Sequence, residues 1–249
     1  MAHGRRNLSK SILCPEELEL LIFGEKIELK QLQGKLIHVF GEAGSGKTSL
    51  AIQLAVNFCA NEQKVVLIDT EGKITGHQMK KYFSGKNFSK LNSLLKLYQP
   101  KNFQEQFELI NKLEFFLQNQ SIGLLLVDTI TNFYRQESTN QSREKKAFKK
   151  LAFQVALLRQ ISHRLHFPVI LFNQATMIRR KTKGEQDILA LLSEERIRPV
   201  AKAILQYWSD REIILLSHGF GRFEARIPTE IEGRVKFEIT ANGISPLKK

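Results

Sequence analysis

Apolar runs and segments of helical periodicity alternate along the first two thirds of the chain. Near-continuous apolar runs predict strands at 36–40, 64–69, 94–99, 122–128 and 168–174. Amphipathic segments beside them predict helices at 47–57, 75–84, 102–118 and 142–166. Strands that are apolar on both faces and are joined by such helices are typical of a parallel sheet covered on each side. The pattern therefore predicts an α/β fold with a mostly parallel central sheet flanked by helices.

The pattern changes beyond about residue 200. Short apolar segments separated by turn residues predict further strands in an antiparallel C-terminal extension of the same sheet, at AKAILQYW, EIILLS, FEARI and VKFEIT. Upstream of the first strand, Pro15 offers a helix start, and we expect residues 1–33 to form an N-terminal lead-in segment. The expected organisation is this lead-in followed by one domain at 34–249.

Composition adds a preference for polyanions. The formal net charge is +13 and the sequence pI is about 9.8, which favours nucleic acid first and an anionic membrane surface second. No apolar stretch approaches the length of a membrane span, and the basic N-terminus has no apolar region of the secretory type. Cys14 and Cys59 have neither zinc-site spacing nor a disulfide pattern. We therefore expect a cytoplasmic protein without a membrane partner.

The segment GEAGSGKTSL has the spacing of a phosphate-binding loop, with a predicted strand before it and a predicted helix after it. Its glycines let successive backbone N–H groups face phosphates at a helix N-terminus. Lys47 would bridge the β- and γ-phosphates, and the Thr48 hydroxyl would bind Mg²⁺. The predicted cofactors are ATP and Mg²⁺, and the predicted nucleotide-binding residues are Gly41, Glu42, Ala43, Gly44, Ser45, Gly46, Lys47, Thr48 and Ser49.

Two acidic residues at the ends of other predicted strands complete the predicted site. Asp128 ends the apolar run LLLVD and is the second predicted metal ligand. Glu71 follows the strand KVVLID, and ligands of open α/β sheets bind beyond the carboxyl ends of the strands. A carboxylate there can orient and deprotonate an attacking water. The letters DTEG also match a GTPase signature, but the nearest guanine-specifying match, NKLE at 111–114, lies inside a predicted helix and ends in Glu.

The order GEAGSGKT, VVLIDTEG, LLLVDTITNFYR, VILFNQ resembles the RecA/RadA recombinase superfamily, and most of all its archaeal RadB branch. Only some 35 residues precede the first predicted strand, which favours RadB over RadA, which has an additional N-terminal domain. The resemblance implies a RecA-like P-loop ATPase core. It also implies catalytic roles for Lys47, for Glu71 in water activation and for Gln174 in sensing the γ-phosphate, with Asp128 as the metal-binding acid.

In that family two loops after the Asp128 and Gln174 strands face DNA, at roughly 135–146 and 175–198 here. Both segments are basic, and both follow strand tips on one edge of the predicted sheet. Cations there would contact phosphates with little sequence preference and with strong salt dependence. The predicted DNA-binding residues are Arg135, Arg143, Arg179, Arg180, Lys181 and Lys183. The adjacent residues Lys145, Lys146, Lys149 and Lys150 fit DNA contact and a solvated helix face equally well.

The resemblance implies an ATP-binding and DNA-binding accessory protein of homologous recombination and repair. Such a protein would be a weak DNA-dependent ATPase in an archaeal cell, associated with the nucleoid, that modulates the main recombinase. Its expected partners are single- and double-stranded DNA and a RadA-type recombinase. Three alternatives stay open from the residues themselves, namely a KaiC-like signalling ATPase, a P-loop GTPase, and a module that binds ATP without hydrolysing it.

Overall fold

The protein was analysed as a computed structural model, which describes residues 15–26, 28, 33–82, 88–139, 141–177, 197–228, 230 and 233–247. The described helices are α1 (Glu16–Phe23), α2 (Lys47–Ala60), α3 (Gly76–Tyr82), α4 (Phe88–Leu94), α5 (Phe103–Leu117), α6 (Asn132–Ser138), α7 (Gln141–Leu165) and α8 (Lys202–Trp208). The described strands are β1 (Leu36–Gly41), β2 (Lys64–Asp69), β3 (Leu95–Tyr98), β4 (Ile122–Asp128), β5 (Val169–Met177), β6 (Ile197–Pro199), β7 (Arg211–Gly219), β8 (Arg222–Arg226), β9 (Arg234–Thr240) and β10 (Gly243–Pro246).

The strands form one sheet in the order β10-β9-β8-β7-β1-β5-β4-β2-β3, and β6 pairs with β5. Pairing is parallel from β7 through β1, β5, β4 and β2 to β3. It is antiparallel from β7 to β10 and between β5 and β6. This arrangement confirms the predicted parallel sheet with an antiparallel C-terminal extension.

Both faces of the parallel strands are buried, which explains why their sequences are apolar without alternation. Val65 and Leu67 of β2 face one hydrophobic core, together with residues of α1 and α2. Val66 and Ile68 face a second core, together with residues of α5, α7 and α8. Because strands β1, β2, β4 and β5 end at the same edge of the sheet, their C-terminal residues meet there.

The prediction of a strand at AKAILQYW was wrong, because Lys202–Trp208 is helix α8. Ile204 and Leu205 are buried, and Lys202, Ala203, Gln206 and Tyr207 are exposed. The helix packs against α7 and β1. Ile204 and Leu205 therefore lie on the side of α8 that faces the core, and the exposed residues lie on its opposite side.

The structure differs from the sequence prediction in two further segments. The segment predicted as the first DNA-facing loop is largely helical, since α6 and the first turns of α7 occupy it. Strand β10 was not predicted, and it pairs with β9 beyond a turn. Among the described residues, no helix has both the length and the apolar character that crossing a bilayer requires.

Candidate active site

The loop between β1 and α2 folds around the side chain of Lys47. Its Nζ donates to the carbonyl oxygens of Gly41 at 2.9 Å and Glu42 at 2.6 Å. Gly44 and Gly46 have φ angles of 78° and 90°, which glycine adopts without strain. A Cβ at position 46 would lie 2.6 Å from Ile239 Cδ1 of β9, which is the end of a side chain that can rotate away. At Gly44 and Gly46 the backbone conformation is therefore what requires glycine.

The side chain of Lys47 is 8% exposed, so both burial and nearby carboxylates affect the pKa of its ammonium group. Burial lowers the pKa of Lys47 from its ordinary value, because it disfavours the ammonium form. The carboxylates of Asp128, Glu71 and Glu42 act in the opposite direction. The Lys47 ammonium is thus surrounded by carboxylates and by the carbonyl oxygens of its own loop.

Asp128 ends β4 next to Asp69 of β2 and is 2% exposed. Burial is the main cause that raises the pKa of Asp128 to about 6, while the Thr48 hydroxyl beside it favours the charged form. Its buried Oδ1 has no hydrogen-bond partner among the described residues. A hard divalent cation prefers such an oxygen, and a P-loop hydroxyl beside it supplies a second oxygen of the same kind. The residues present therefore fit Mg²⁺.

The loop after β2 is organised by Asp69, whose role was not predicted. Its carboxylate accepts from the backbone N–H groups of Glu71 at 3.0 Å, Gly72 at 2.9 Å and Ile74 at 2.8 Å. It also accepts from the Gln99 side chain at 2.9 Å. These bonds fix the loop in the conformation that directs Glu71 toward the P-loop.

Polar contacts join the ends of β2 and β4. The Thr70 hydroxyl donates to the carbonyl of Thr129 at 2.8 Å and accepts from its N–H at 3.1 Å. Asn132 donates to the carbonyl of Thr70 at 2.7 Å. The strand end that carries Asp128 and the loop that carries Glu71 are therefore held together.

Gln174 lies in β5 directly beside Gly41 of β1. Its side-chain oxygen accepts from the guanidinium of Arg135, which extends from α6. The carbonyl of Gln174 accepts from the N–H of Val200 at 3.0 Å, on the chain segment that follows β6. Gln174 thus contacts Arg135 of the first segment predicted to face DNA, and it bonds to Val200 just beyond the end of the second.

Residues of the P-loop, of the segments after β2 and β4, and of β5 and β8 surround one cleft of about 550 Å³, and the predicted metal ligand Asp128 is not among the residues that line it. Four residues predicted from the sequence line it together, namely Lys47, Thr48, Glu71 and Gln174, with further P-loop residues. Sequence reasoning missed other residues that line it, Lys73, Thr129, Asn132 and Phe223. Lys73 lies in the same short loop as Glu71, so its position was a usable signal. Phe223 comes from β8, far along the chain, and no local pattern indicated it.

A buried polar network lies beside the cleft and crosses the sheet from β4 to β7. The Thr131 hydroxyl donates to Asn173 Oδ1 at 2.5 Å, and Asn173 Nδ2 lies 3.1 Å from His38 Nε2. His38 Nδ1 lies 3.0 Å from Glu212 Oε1. Burial lowers the pKa of His38, whereas the hydrogen bond and the charge of Glu212 raise it. Asn173 also donates to the carbonyl of Val200 at 2.9 Å, which attaches the chain after β6 to β5.

The predicted DNA-binding residues lie in different situations. Arg135 and Arg143 are exposed on α6 and α7, and Arg143 lies 3.8 Å from Glu137. Four others, Arg179, Arg180, Lys181 and Lys183, lie outside the described residues. On α7, Lys145, Lys146 and Lys149 are exposed. Lys150 donates to Gln104 at 2.5 Å and lies 5.1 Å from the centre of the Phe107 ring, so it has local partners.

Comparisons with known proteins identify the family and the fold. The profile of the Rad51 family matches residues 25–246. The DNA repair and recombination protein RadB of Methanosphaera stadtmanae is 27% identical over 246 residues, covering 96% of this chain and 97% of that protein. RadB of Methanothermobacter thermautotrophicus is 30% identical over 214 residues, covering 82% and 85%. The crystal structure of the RadB recombinase superposes with a TM-score of 0.69 at 26% identity, covering 92% of this chain and 96% of that one.

Proposed function

Because the chain belongs to the Rad51 family, we propose that it is a RadB-like protein of DNA repair and recombination that binds ATP and Mg²⁺ in this cleft. The observation that carries the proposal is the convergence of Lys47, Thr48, Glu71 and Gln174 on one cleft above the buried Asp128. Together with Asp128, these side chains come from four places, namely the P-loop, the loop after β2, the end of β4 and β5, and each has the chemistry that its role in ATP hydrolysis requires.

The P-loop would bind the phosphates through its N–H groups, and Lys47 would bridge the β- and γ-phosphates. Thr48 and Asp128 are the residues that would hold Mg²⁺, which when bound neutralises charge that develops on the phosphates. Glu71 would orient the attacking water and accept its proton. Gln174 would donate a hydrogen bond to the γ-phosphate without adding charge. With these roles the protein is a weak ATPase.

DNA would bind at the edge of the cleft through Arg135 and Arg143, and through the predicted residues Arg179, Arg180, Lys181 and Lys183. The contact between Arg135 and Gln174 supports this assignment, because it joins a predicted DNA-binding residue to the predicted γ-phosphate sensor. A groove of about 220 Å³ is lined by three cations, Arg143, Lys146 and Lys150, and by one carboxylate, Glu137, and this excess of cations supports DNA contact for part of the α7 lysine face. A polyanion that binds Arg135 would bias the position of Gln174, and ATP would bias the position of Arg135.

The biological role that follows is that of an accessory factor, in which this protein modulates a main recombinase of the RadA type. A cycle of ATP binding and slow hydrolysis would change the affinity for DNA through Gln174 and Arg135. Slow turnover suits a regulatory role, because each nucleotide state then lasts long enough to be recognised by a partner.

The test is ATP turnover measured with and without single-stranded DNA. We expect slow hydrolysis that DNA stimulates, loss of nucleotide binding in Lys47→Ala, and retained binding without turnover in Glu71→Gln. Turnover that is indifferent to DNA would favour a mediator or a signalling ATPase. Binding without turnover would favour a module that uses ATP as a structural ligand, and preferential hydrolysis of GTP would favour a GTPase. Unchanged turnover in Glu71→Gln would refute the role of Glu71.

DNA binding is tested separately by a salt series. The affinity for single- and double-stranded DNA should fall as salt rises, with little sequence preference, because counterion release dominates such binding. Replacing Arg179, Arg180, Lys181 and Lys183 together by alanine should weaken binding and flatten the salt dependence. If this variant binds DNA as well as the parent protein, the assignment of the second basic segment is wrong.

A further inference from the structure

Lys73 is a cation of the cleft that the function proposed above leaves without a role. Of the described residues that line the cleft, only Lys47 and Lys73 are cations. Lys73 Nζ lies 2.6 Å from Glu71 Oε2, and the Lys73 side chain is 70% exposed. The neighbouring carboxylates of Glu71, Asp128 and Asp69 raise the pKa of Lys73. The ammonium therefore faces the acidic side of the cleft and remains charged.

The ion pair between Lys73 and Glu71 is not needed to shape the loop. Asp69 already fixes residues 71–74 through three backbone hydrogen bonds of 2.8–3.0 Å. An ion pair as exposed as that of Lys73 contributes little to stability. The position of Lys73 is better explained by an anion that enters the cleft beside Glu71.

We infer that Lys73 binds the terminal phosphate of a nucleoside triphosphate and makes the site prefer ATP over ADP. The inference rests on the proposed function, which puts the γ-phosphate between Lys47 and Glu71. A phosphate there would lie near the carboxylate of Glu71, and the two negative charges would repel each other. Lys73 has three N–H donors on a flexible chain, so it can bind a phosphate oxygen and Glu71 at the same time. A diphosphate ends one phosphate short and would not reach Lys73.

The experiment compares the dissociation constants of ADP and of the β,γ-imido analogue of ATP, measured calorimetrically with Mg²⁺. We expect Lys73→Ala to weaken binding of the triphosphate analogue about tenfold, which corresponds to about 1.4 kcal/mol, and to leave ADP within about twofold. Lys73→Arg should retain most of the preference. Lys80→Ala is the matched control, because it removes an exposed lysine of α3 that does not line the cleft.

A second measurement distinguishes direct contact between Lys73 and the phosphate from an indirect effect in which Lys73 neutralises Glu71. In a Glu71→Gln background the repulsion is gone, yet Lys73→Ala should still weaken the triphosphate analogue and not ADP. Loss of the effect in that background would overturn the inference.

Comparing the nucleotide affinities of Lys73→Ala and Lys47→Ala distinguishes a failure of the inference from a failure of the proposed function. The inference also fails if Lys73→Ala weakens both nucleotides equally or neither, while Lys47→Ala still abolishes binding. If the parent protein binds neither nucleotide, the inference and the proposed function fail together.

Discussion

The charge on Asp128 should destabilise the metal-free protein, and Asp128→Asn should remove that effect. Burial raises the pKa of this carboxyl from 3.8 to about 6. The charged form is then about 3 kcal/mol less favourable in the folded protein than in the unfolded chain. Asparagine has nearly the same shape and no charge, so it avoids this penalty.

The pH dependence of this effect follows from the two pKa values. Below about pH 4 the carboxyl is protonated in both states, so Asp128 contributes no difference. Between about pH 4 and about pH 6 the unfolded chain loses the proton first, and the free energy of unfolding of the parent protein falls. Above about pH 6 the full penalty is present. The metal-free Asp128→Asn variant should therefore approach the parent well below pH 4 and exceed it by up to about 3 kcal/mol near pH 7.

Urea unfolding followed by circular dichroism, with a chelator present, measures this difference across that pH range. Asp69→Asn is the matched control, since Asp69 is also buried, lies beside Asp128 in the sheet and accepts hydrogen bonds from three backbone N–H groups and Gln99. That variant should lose about 2 kcal/mol, because hydrogen bonds to a charged acceptor are replaced by weaker ones. Parallel pH profiles for Asp128→Asn and the parent would refute the reasoning.

Three further predictions concern residues outside the catalytic chemistry. Asn173→Leu should lower the free energy of unfolding by about 3 kcal/mol, since it leaves His38 Nε2, the Thr131 hydroxyl and the Val200 carbonyl without a partner. A loss below about 1 kcal/mol in chemical denaturation would show that the network adds little to stability. Phe220 lies in the turn between β7 and β8, where it is fully exposed and has a φ of 51°. Phe220→Gly should therefore stabilise this turn by about 0.5–1 kcal/mol, whereas Phe220→Ala should not, because alanine also has a Cβ. Burial raises the pKa of the Cys59 thiol to about 12. In a Cys14→Ser background, this thiol should therefore react with a disulfide reagent only as the protein unfolds. Fast labelling of the folded protein would contradict this expectation.

Some features of the fold follow from local patterns that tertiary contacts do not change. The strands of the parallel sheet are apolar on both faces because helices cover both faces, and this burial leaves a continuous run in the sequence. Helix α8 was wrongly predicted as a strand because its sequence pattern is too short to be decisive. Its buried residues Ile204 and Leu205 are only two, and a seven-residue segment is too short for helical periodicity to be distinguished from a strand.

Some residues of the candidate site can likewise be predicted from the sequence, whereas others are recognised only through tertiary contacts. The P-loop is recognisable from a single stretch of sequence, because its glycines, Lys47 and Thr48 are contiguous and act through backbone geometry. Glu71, Asp128 and Gln174 are also indicated by the sequence, since the carboxyl ends of parallel strands meet at one edge of a sheet. Tertiary contacts were needed to show that Phe223 lines the cleft, that Arg135 contacts Gln174, and that Lys73 pairs with Glu71 inside the cleft. Strand order and side-chain direction bring these groups together, and neither is encoded in a local stretch of residues.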